Sequence, residues 1–418
     1  MELLLLLFVR LLATADPLHQ TGAIIYLVVL FCLQGGRMLR QHSYLLALIA
    51  AIFISSLFPS TVLAATTAQD LDYRFVCIGQ LWMDVFFDFP TNYREKIMPV
   101  LDEIKEMGFK GVSVHTNWFL DLRTNRLFPA YDPENEHHAW MYSAEDWMIE
   151  ELLRCIEDSG LDADLRIAVM VSSEEFGRFD YFPSYGDAAI FFDSYEALAV
   201  RLARILERTD GDVFTVFGEL PMIEKHSDRV RSMLDTVAKV FSGDLQINQA
   251  TNHLIQDFPE IWQSGDMNRY KSYCGDYWNW EFSDGRKVII AYSWWPGPSQ
   301  TTYSAADNLG IAYSSTIENM VEQISARWQN VVEYHRKTYP GHMIVFGELG
   351  IYNYGNQMMA NLWQAYLTAI QRMGVDGFNV WSISLSTWAW YGRPKALTPG
   401  HDEMSGEPVI SAITPFLD

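Results

Sequence analysis

Val213-Phe214-Thr215-Val216-Phe217-Gly218-Glu219-Leu220 and Met343-Ile344-Val345-Phe346-Gly347-Glu348-Leu349 repeat one arrangement, an apolar run that closes on Phe-Gly-Glu-Leu. β-Branched and aromatic residues suit a buried, pleated surface, so each run predicts a strand. The glutamate of each copy then stands where the strand gives way to a loop. In a parallel α/β barrel that end of the strands faces the active site. Two carboxylates are thereby brought to one mouth.

Outward from these segments the same rhythm continues along the chain. Short apolar runs predict strands over 74–79, 111–115, 165–170, 213–217, 245–248, 288–292, 343–346 and 377–381. Between them, apolar residues at three- and four-residue spacing predict helices over 93–107, 144–158, 195–208, 228–241, 317–337 and 358–373. Eight strand–helix units over 70–418 imply a single (β/α)8 TIM barrel, in which Glu219 ends the fourth strand and Glu348 the seventh. An open doubly wound sheet is disfavoured. Gly79-Gln80-Leu81-Trp82 follows the first strand with aromatic and polar residues where a phosphate turn needs glycines. The long segments 117–142, 172–193 and 293–315 fall after strands and are rich in Tyr, Trp, Phe, Pro and Asp, which makes them candidate functional loops on the C-terminal face.

The front of the chain reads differently. Arg37 and Arg40 precede an apolar stretch over 44–57 and a small-residue exit, Val62-Leu63-Ala64-Ala65. This pattern predicts a signal peptide over 38–64, cut near Ala64 or Ala65. A second apolar run, 23–33, lies upstream, and both are shorter than the roughly 20 residues that span a bilayer. Two accounts stand: residues 1–37 are a misassigned extension before Met38, or the segments form a membrane tether. Either account places the barrel outside the cytoplasm, secreted, periplasmic or anchored.

The net charge of −22 argues against nucleic acid, whose binding rests on a basic footprint. All 14 tryptophans follow the signal, an aromatic excess suited to stacking on sugar rings. Cys77, Cys155 and Cys274 are spaced as core residues and not as zinc or redox ligands. His137-His138 lies in an acidic loop and no His-x-His follows the first strand, so no metal and no cofactor are expected.

Glycoside hydrolysis uses two carboxyl groups, one to protonate the leaving oxygen and one to attack the anomeric carbon or activate water. Ends of the fourth and seventh strands face each other across a barrel mouth, at a span compatible with the roughly 5 Å of a retaining mechanism. Glu174 and Glu175 offer a rival pair, but adjacent residues point apart. Trp82, after the first strand, is a candidate stacking platform. Trp388, Trp390 and Tyr391, beyond the last strand, either extend the cleft or cover the final helix.

With both motifs placed, the chain resembles the retaining glycoside hydrolases of clan A, and within them the family 113 β-mannanase type. The resemblance rests on Phe217-Gly218-Glu219-Leu220, on Val345-Phe346-Gly347-Glu348-Leu349-Gly350, and on Gln364-Ala365-Tyr366 onward to Gly377-Phe378-Asn379-Val380-Trp381. It implies Glu219 as general acid/base, Glu348 as nucleophile and Trp381 as the floor of the sugar site next to the scissile bond. It further implies sugar-binding roles for His115, Asn117 and Trp118 at the end of the second strand. Tyr292, with Trp294 and Trp295 at the end of the sixth, would steady the nucleophile or line the cleft, Trp295 being the favoured indole. Most of the clan carry Asn directly before the acid/base, and here that residue is Gly218. Asn248 and Asn117 are the candidates to replace its amide. The expected function is hydrolysis of β-linked neutral sugars in an oligo- or polysaccharide, a mannan or a related glucan or galactan. The alternative is a catalytically silent carbohydrate-binding barrel.

Overall fold

The computed structural model describes residues 71–78, 82–121, 123–129, 143–171, 185–218, 220, 226–250, 282, 284–294, 316–350, 356–381 and 411–417. All belong to one compact unit, Gln69–Asp418. Eight parallel strands run in chain order: β1 Tyr73–Cys77, β2 Gly111–Asp121, β3 Asp162–Val171, β4 Val213–Gly218, β5 Asp244–Ala250, β6 Ile289–Trp294, β7 Ile344–Leu349 and β8 Gly377–Trp381. Each pairs with the next, and β8 pairs with β1 through Tyr73↔Gly377 to Cys77↔Trp381, which closes the barrel. The expected (β/α)8 architecture is the observed one. Glu348 lies on the seventh strand, and Glu219 follows the last residue of the fourth.

Among the described residues, seven helices lie between the strands: α1 Met83–Asp88, α2 Tyr93–Glu106, α3 Asp146–Ser159, α4 Tyr185–Arg208, α5 Ser227–Ala238, α6 Ile317–Thr338 and α7 Asn356–Arg372. Their ends follow ordinary capping chemistry. Thr316 opens α6 by accepting a hydrogen bond from the Asn319 N–H, and Gly160 closes α3 at φ 70°, a left-handed position that glycine adopts without steric cost. The apolar stripes of these helices and the outward faces of the strands form one large core, in which Trp294, Trp328, Trp363 and Tyr366 are fully enclosed. Truncating a buried tryptophan such as Trp328 to alanine costs about 3–5 kcal/mol.

Inside the barrel the side chains are layered. A floor of Tyr73, Phe75, Val213, Ile289, Ala291 and Val345 forms a separate apolar cluster. Polar residues stand above it: Asp164, Arg166, Thr215 and Gln246 are each 0–1% exposed. Polar groups in so dry a place must satisfy one another. They do so in part, through Thr215 Oγ1 to Asp164 Oδ1 (2.7 Å), Gln246 Nε2 to Thr215 Oγ1 (2.9 Å) and Arg166 Nε to Asp164 Oδ2 (2.6 Å).

One expectation about a loop is corrected. β2 was read as ending near His115, with an insertion from residue 117; the strand runs on to Asp121 and turns back into a short antiparallel strand, Arg126–Phe128. Its alternation persists, and ten consecutive residues pair with β3 as far as Leu120↔Val171. The Asp121 carboxylate accepts from the Arg123 N–H and Thr124 Oγ1, and Asn125 takes φ 55°, so the turn is locally built. Residues 1–70, most of the three aromatic loops, Trp295, Glu174, Glu175, Cys274, Trp388, Trp390 and Tyr391 lie outside the described residues, so the expectations on them stay as stated. Cys77 and Cys155 are buried, as core residues should be.

Candidate active site

Register irregularities decide what reaches the barrel mouth. Along β7 the pairing with β8 slips between Phe346 and Leu349. Phe346 turns outward against Trp328 (4.7 Å between ring centroids), whereas a Cβ on Gly347 would lie 2.7 Å from Asn248 Oδ1 and 2.8 Å from Ala291 Cβ, both inside the barrel. Gly347 and Glu348 are therefore both turned inward, as an irregular strand permits. The glycine is required by that crowding: any side chain would collide with the groups that receive the glutamate.

Glu348 is 6% exposed and converges with residues of three other strands. Asn248 Nδ2 on β5 donates to Glu348 Oε1 (3.3 Å) and to Ser293 Oγ on β6 (2.8 Å). Arg166 Nη1 on β3 lies 3.5 Å from the same Oε1, and His115 Nε2 on β2 lies 3.8 Å from it. Burial, and then the charge of Arg166, push the His115 pKa well below its ordinary value, so this imidazole is neutral. Arg166 keeps its charge despite complete burial because Asp164, Tyr73 and Glu348 surround it with negative or hydrogen-bonding groups. A cation and an amide donor aimed at one carboxylate suit an ionised nucleophile or a hydrogen-bond acceptor for a polar ligand. The Trp381 ring, at the end of β8, meets His115 edge to face at 4.3 Å.

Of the residues singled out from sequence, the structure brings Glu348, His115, Asn248 and Trp381 together. Asn117 lies on the same inward parity of β2 as His115 and is 1% exposed; its carbonyl accepts from Ser143 Oγ. Glu219 and Trp295 lie outside the described residues. Three expectations are corrected. Tyr292 shares its face of β6 with Ile290 and Trp294 and packs into the outer core against Trp328, His335 and Phe346, not into the barrel mouth. Trp118 likewise points to the helix layer, beneath the Arg201 guanidinium of α4 at 4.7 Å. Trp82 is fully buried where α1 begins, and its indole N–H donates to the His115 carbonyl (2.9 Å), which makes it a support for His115 and not an open platform.

Arg166, Asp164 and Ser293 were missed. Their signal was present as charged or small polar residues at every second position of otherwise apolar strands, Asp164-Leu165-Arg166-Ile167 above all. In a strand buried on both faces, such residues belong to the barrel interior.

The opposite mouth carries carboxylates of another kind. A cavity of about 430 Å³ there is lined by Asp72, Asp162, Glu207, Asp210, Asp212 and Asp244 over the apolar floor of the barrel. Burial, and then a neighbouring carboxylate, raise the pKa of Asp162; Asp212 and Asp244 are also raised, burial again being the larger cause. Among the described residues, no cluster of His, Cys, Asp and Glu could hold a metal ion.

No family model matches the chain, and no curated protein resembles it in sequence. Solved structures do resemble it in shape. A GH113 β-1,4-mannanase in a complex superposes with a TM-score of 0.52 at 14% identity, over 82% of this chain and 97% of its own. The GH113 β-mannanase AaManA from Alicyclobacillus acidocaldarius, in complex with ManMIm, gives 0.51 at 16% identity, over 84% and 98%. XacCel5A, in complex with cellopentaose, gives 0.50 at 12% identity, over 83% and 100%. At such identities the likeness establishes a shared fold, the closed (β/α)8 barrel.

Proposed function

We propose that the chain is a retaining glycoside hydrolase acting on β-linked neutral sugars, with mannan-like chains the first substrates to try. The observation that carries this reading is Glu348, turned into the mouth from the end of β7 and met there by Arg166, Asn248 and His115. The mannanases that share the fold support the choice of substrate. Glu348 attacks the anomeric carbon while Glu219, at the end of β4, protonates the departing glycosidic oxygen. The glycosyl ester on Glu348 is then hydrolysed by water that Glu219, now the base, deprotonates. Trp381 holds the apolar face of the sugar ring beside His115. The acidic surface and the signal-like segment over 38–64 support action outside the cytoplasm on a neutral polymer.

The test is hydrolysis of β-mannans, β-glucans, galactans and aryl β-glycosides by the protein and by its Glu348→Ala and Glu219→Ala variants. Turnover that depends on both glutamates, with retained anomeric configuration, is the expected result. Gly218, in the position where the clan places Asn, favours a second reading, the silent sugar-binding barrel. Binding of the same sugars without turnover of any would establish that one. Mass analysis of the exported protein, with an N-terminus near Ala64 or Ala65, tests the signal.

A further inference from the structure

Arg166 reaches Glu348 through Nη1, 3.5 Å from Oε1. Among the described residues its side chain donates one hydrogen bond of ordinary geometry, from Nε to Asp164 Oδ2 at 2.6 Å, and the Tyr73 hydroxyl also lies beside the guanidinium. Asp164 stands two residues earlier on the same inward face and is 0% exposed. It is itself held from two other strands, by Thr215 Oγ1 (2.7 Å) and by the Tyr73 hydroxyl (3.2 Å). A single buried cation is thus shared by two carboxylates, Asp164 beneath it and Glu348 above it. In so dry a place, charge that one partner leaves uncompensated falls on the other.

We propose that Asp164 is a positioning residue that acts through Arg166 to set the ionisation and reactivity of Glu348. This inference rests on the reading of Glu348 as nucleophile only for its catalytic part; the coupling of the two carboxylates stands on the geometry. Asp164 fixes where the guanidinium points and neutralises enough of its charge that Glu348 is steadied without being locked in a tight ion pair. Among the described residues, the groups facing Glu348 are Arg166 on β3, His115 on β2 and Asn248 on β5. Groups facing Asp164 are Arg166, Tyr73 and Thr215.

Two substitutions push the relay in opposite directions. Asp164→Asn leaves Glu348 as the one carboxylate against Arg166 among the described residues, so its carboxyl titrates lower by about one pH unit and kcat/KM falls about 10- to 100-fold. Tyr73→Phe removes one oxygen far from Glu348 and takes a donor from Asp164. Asp164 then draws Arg166 more strongly, and Glu348 titrates slightly higher, by a few tenths of a pH unit.

The experiment is a ¹³C-carboxyl NMR titration of glutamate-labelled protein, with Glu348 assigned by its loss in Glu348→Gln, beside the acid limb of kcat/KM for the same proteins. Midpoints that move in opposite senses support the relay. A merely structural role for Asp164 lowers yield or melting temperature and leaves the midpoint where it was, and that result overturns the inference. Midpoints that move in the same sense overturn it as well. Should Asp164→Asn fail to fold, Tyr73→Phe decides alone: a rise supports the relay and an unchanged midpoint sinks it. Because the NMR midpoint needs no turnover, an inactive wild-type protein would remove the proposed function while the coupling was still judged by its own result.

Discussion

The two Phe-Gly-Glu-Leu segments share every residue and differ in what surrounds them. In both, the phenylalanine turns outward: Phe217 stacks on Tyr195 at 5.1 Å, and Phe346 meets Trp328 edge-on at 4.7 Å. The glycines are not equivalent. At Gly347 a Cβ would strike Asn248 and Ala291, whereas at Gly218 it would meet one backbone oxygen, that of Ile167, at 3.2 Å. The irregularities also fall differently, between Thr215 and Phe217 in β4 but between Phe346 and Leu349 in β7. A motif thus brings a carboxylate to a strand end, while the neighbours decide its task. Only the β7 copy is wedged so tightly that its glycine is compulsory.

The contrast can be broken experimentally. Glu348→Gln should remove activity by about 10⁴-fold or more on every substrate, measured as kcat, because the proposed mechanism gives the covalent intermediate to this carboxylate. Glu219→Gln should cost about 10²- to 10⁴-fold on a mannan, yet far less on an aryl glycoside whose leaving group needs no proton. Equal losses on both substrates would contradict the division of labour. Gly347→Ala should destabilise the fold by about 1–3 kcal/mol in denaturant melts, since β6 backbone and not only a flexible tip must yield, and it should displace Glu348 as well. Gly218→Ala should cost less than about 1 kcal/mol in the same measurement. If the two alanine variants were equally stable, the inequality of the copies would be lost.

Much of this could be read before any coordinates. Short apolar runs located all eight strands, because a parallel barrel strand is buried on both faces and admits little else. Glu348 was legible from its strand end, and His115, Asn248 and Trp381 were added to it by the resemblance. Orientation was harder. Tyr292 and Trp118 were placed in the cleft for being aromatic near strand ends, although Ile290-Tyr292-Trp294 on one face and Ala291-Ser293 on the other already told which face was crowded outward. Arg166 was beyond such reading for another reason. Its partners are Asp164, two residues away, and Glu348, four strands distant, and only barrel closure joins them.

The opposite rim has its own lesson. Six acidic residues gathered about one cavity repel one another through water, and that repulsion is screened over about 8 Å at physiological ionic strength. Where Asp162, Asp212 and Asp244 have raised pKa values, folding binds protons, so stability present below about pH 3.8 is lost as pH climbs through the raised values. These side chains border solvent, and the effect is correspondingly small. The practical outcome concerns habitat: a barrel with this rim should melt a degree or two higher in half-molar sodium chloride than in dilute buffer at pH 7, and should lose most of that difference near pH 4.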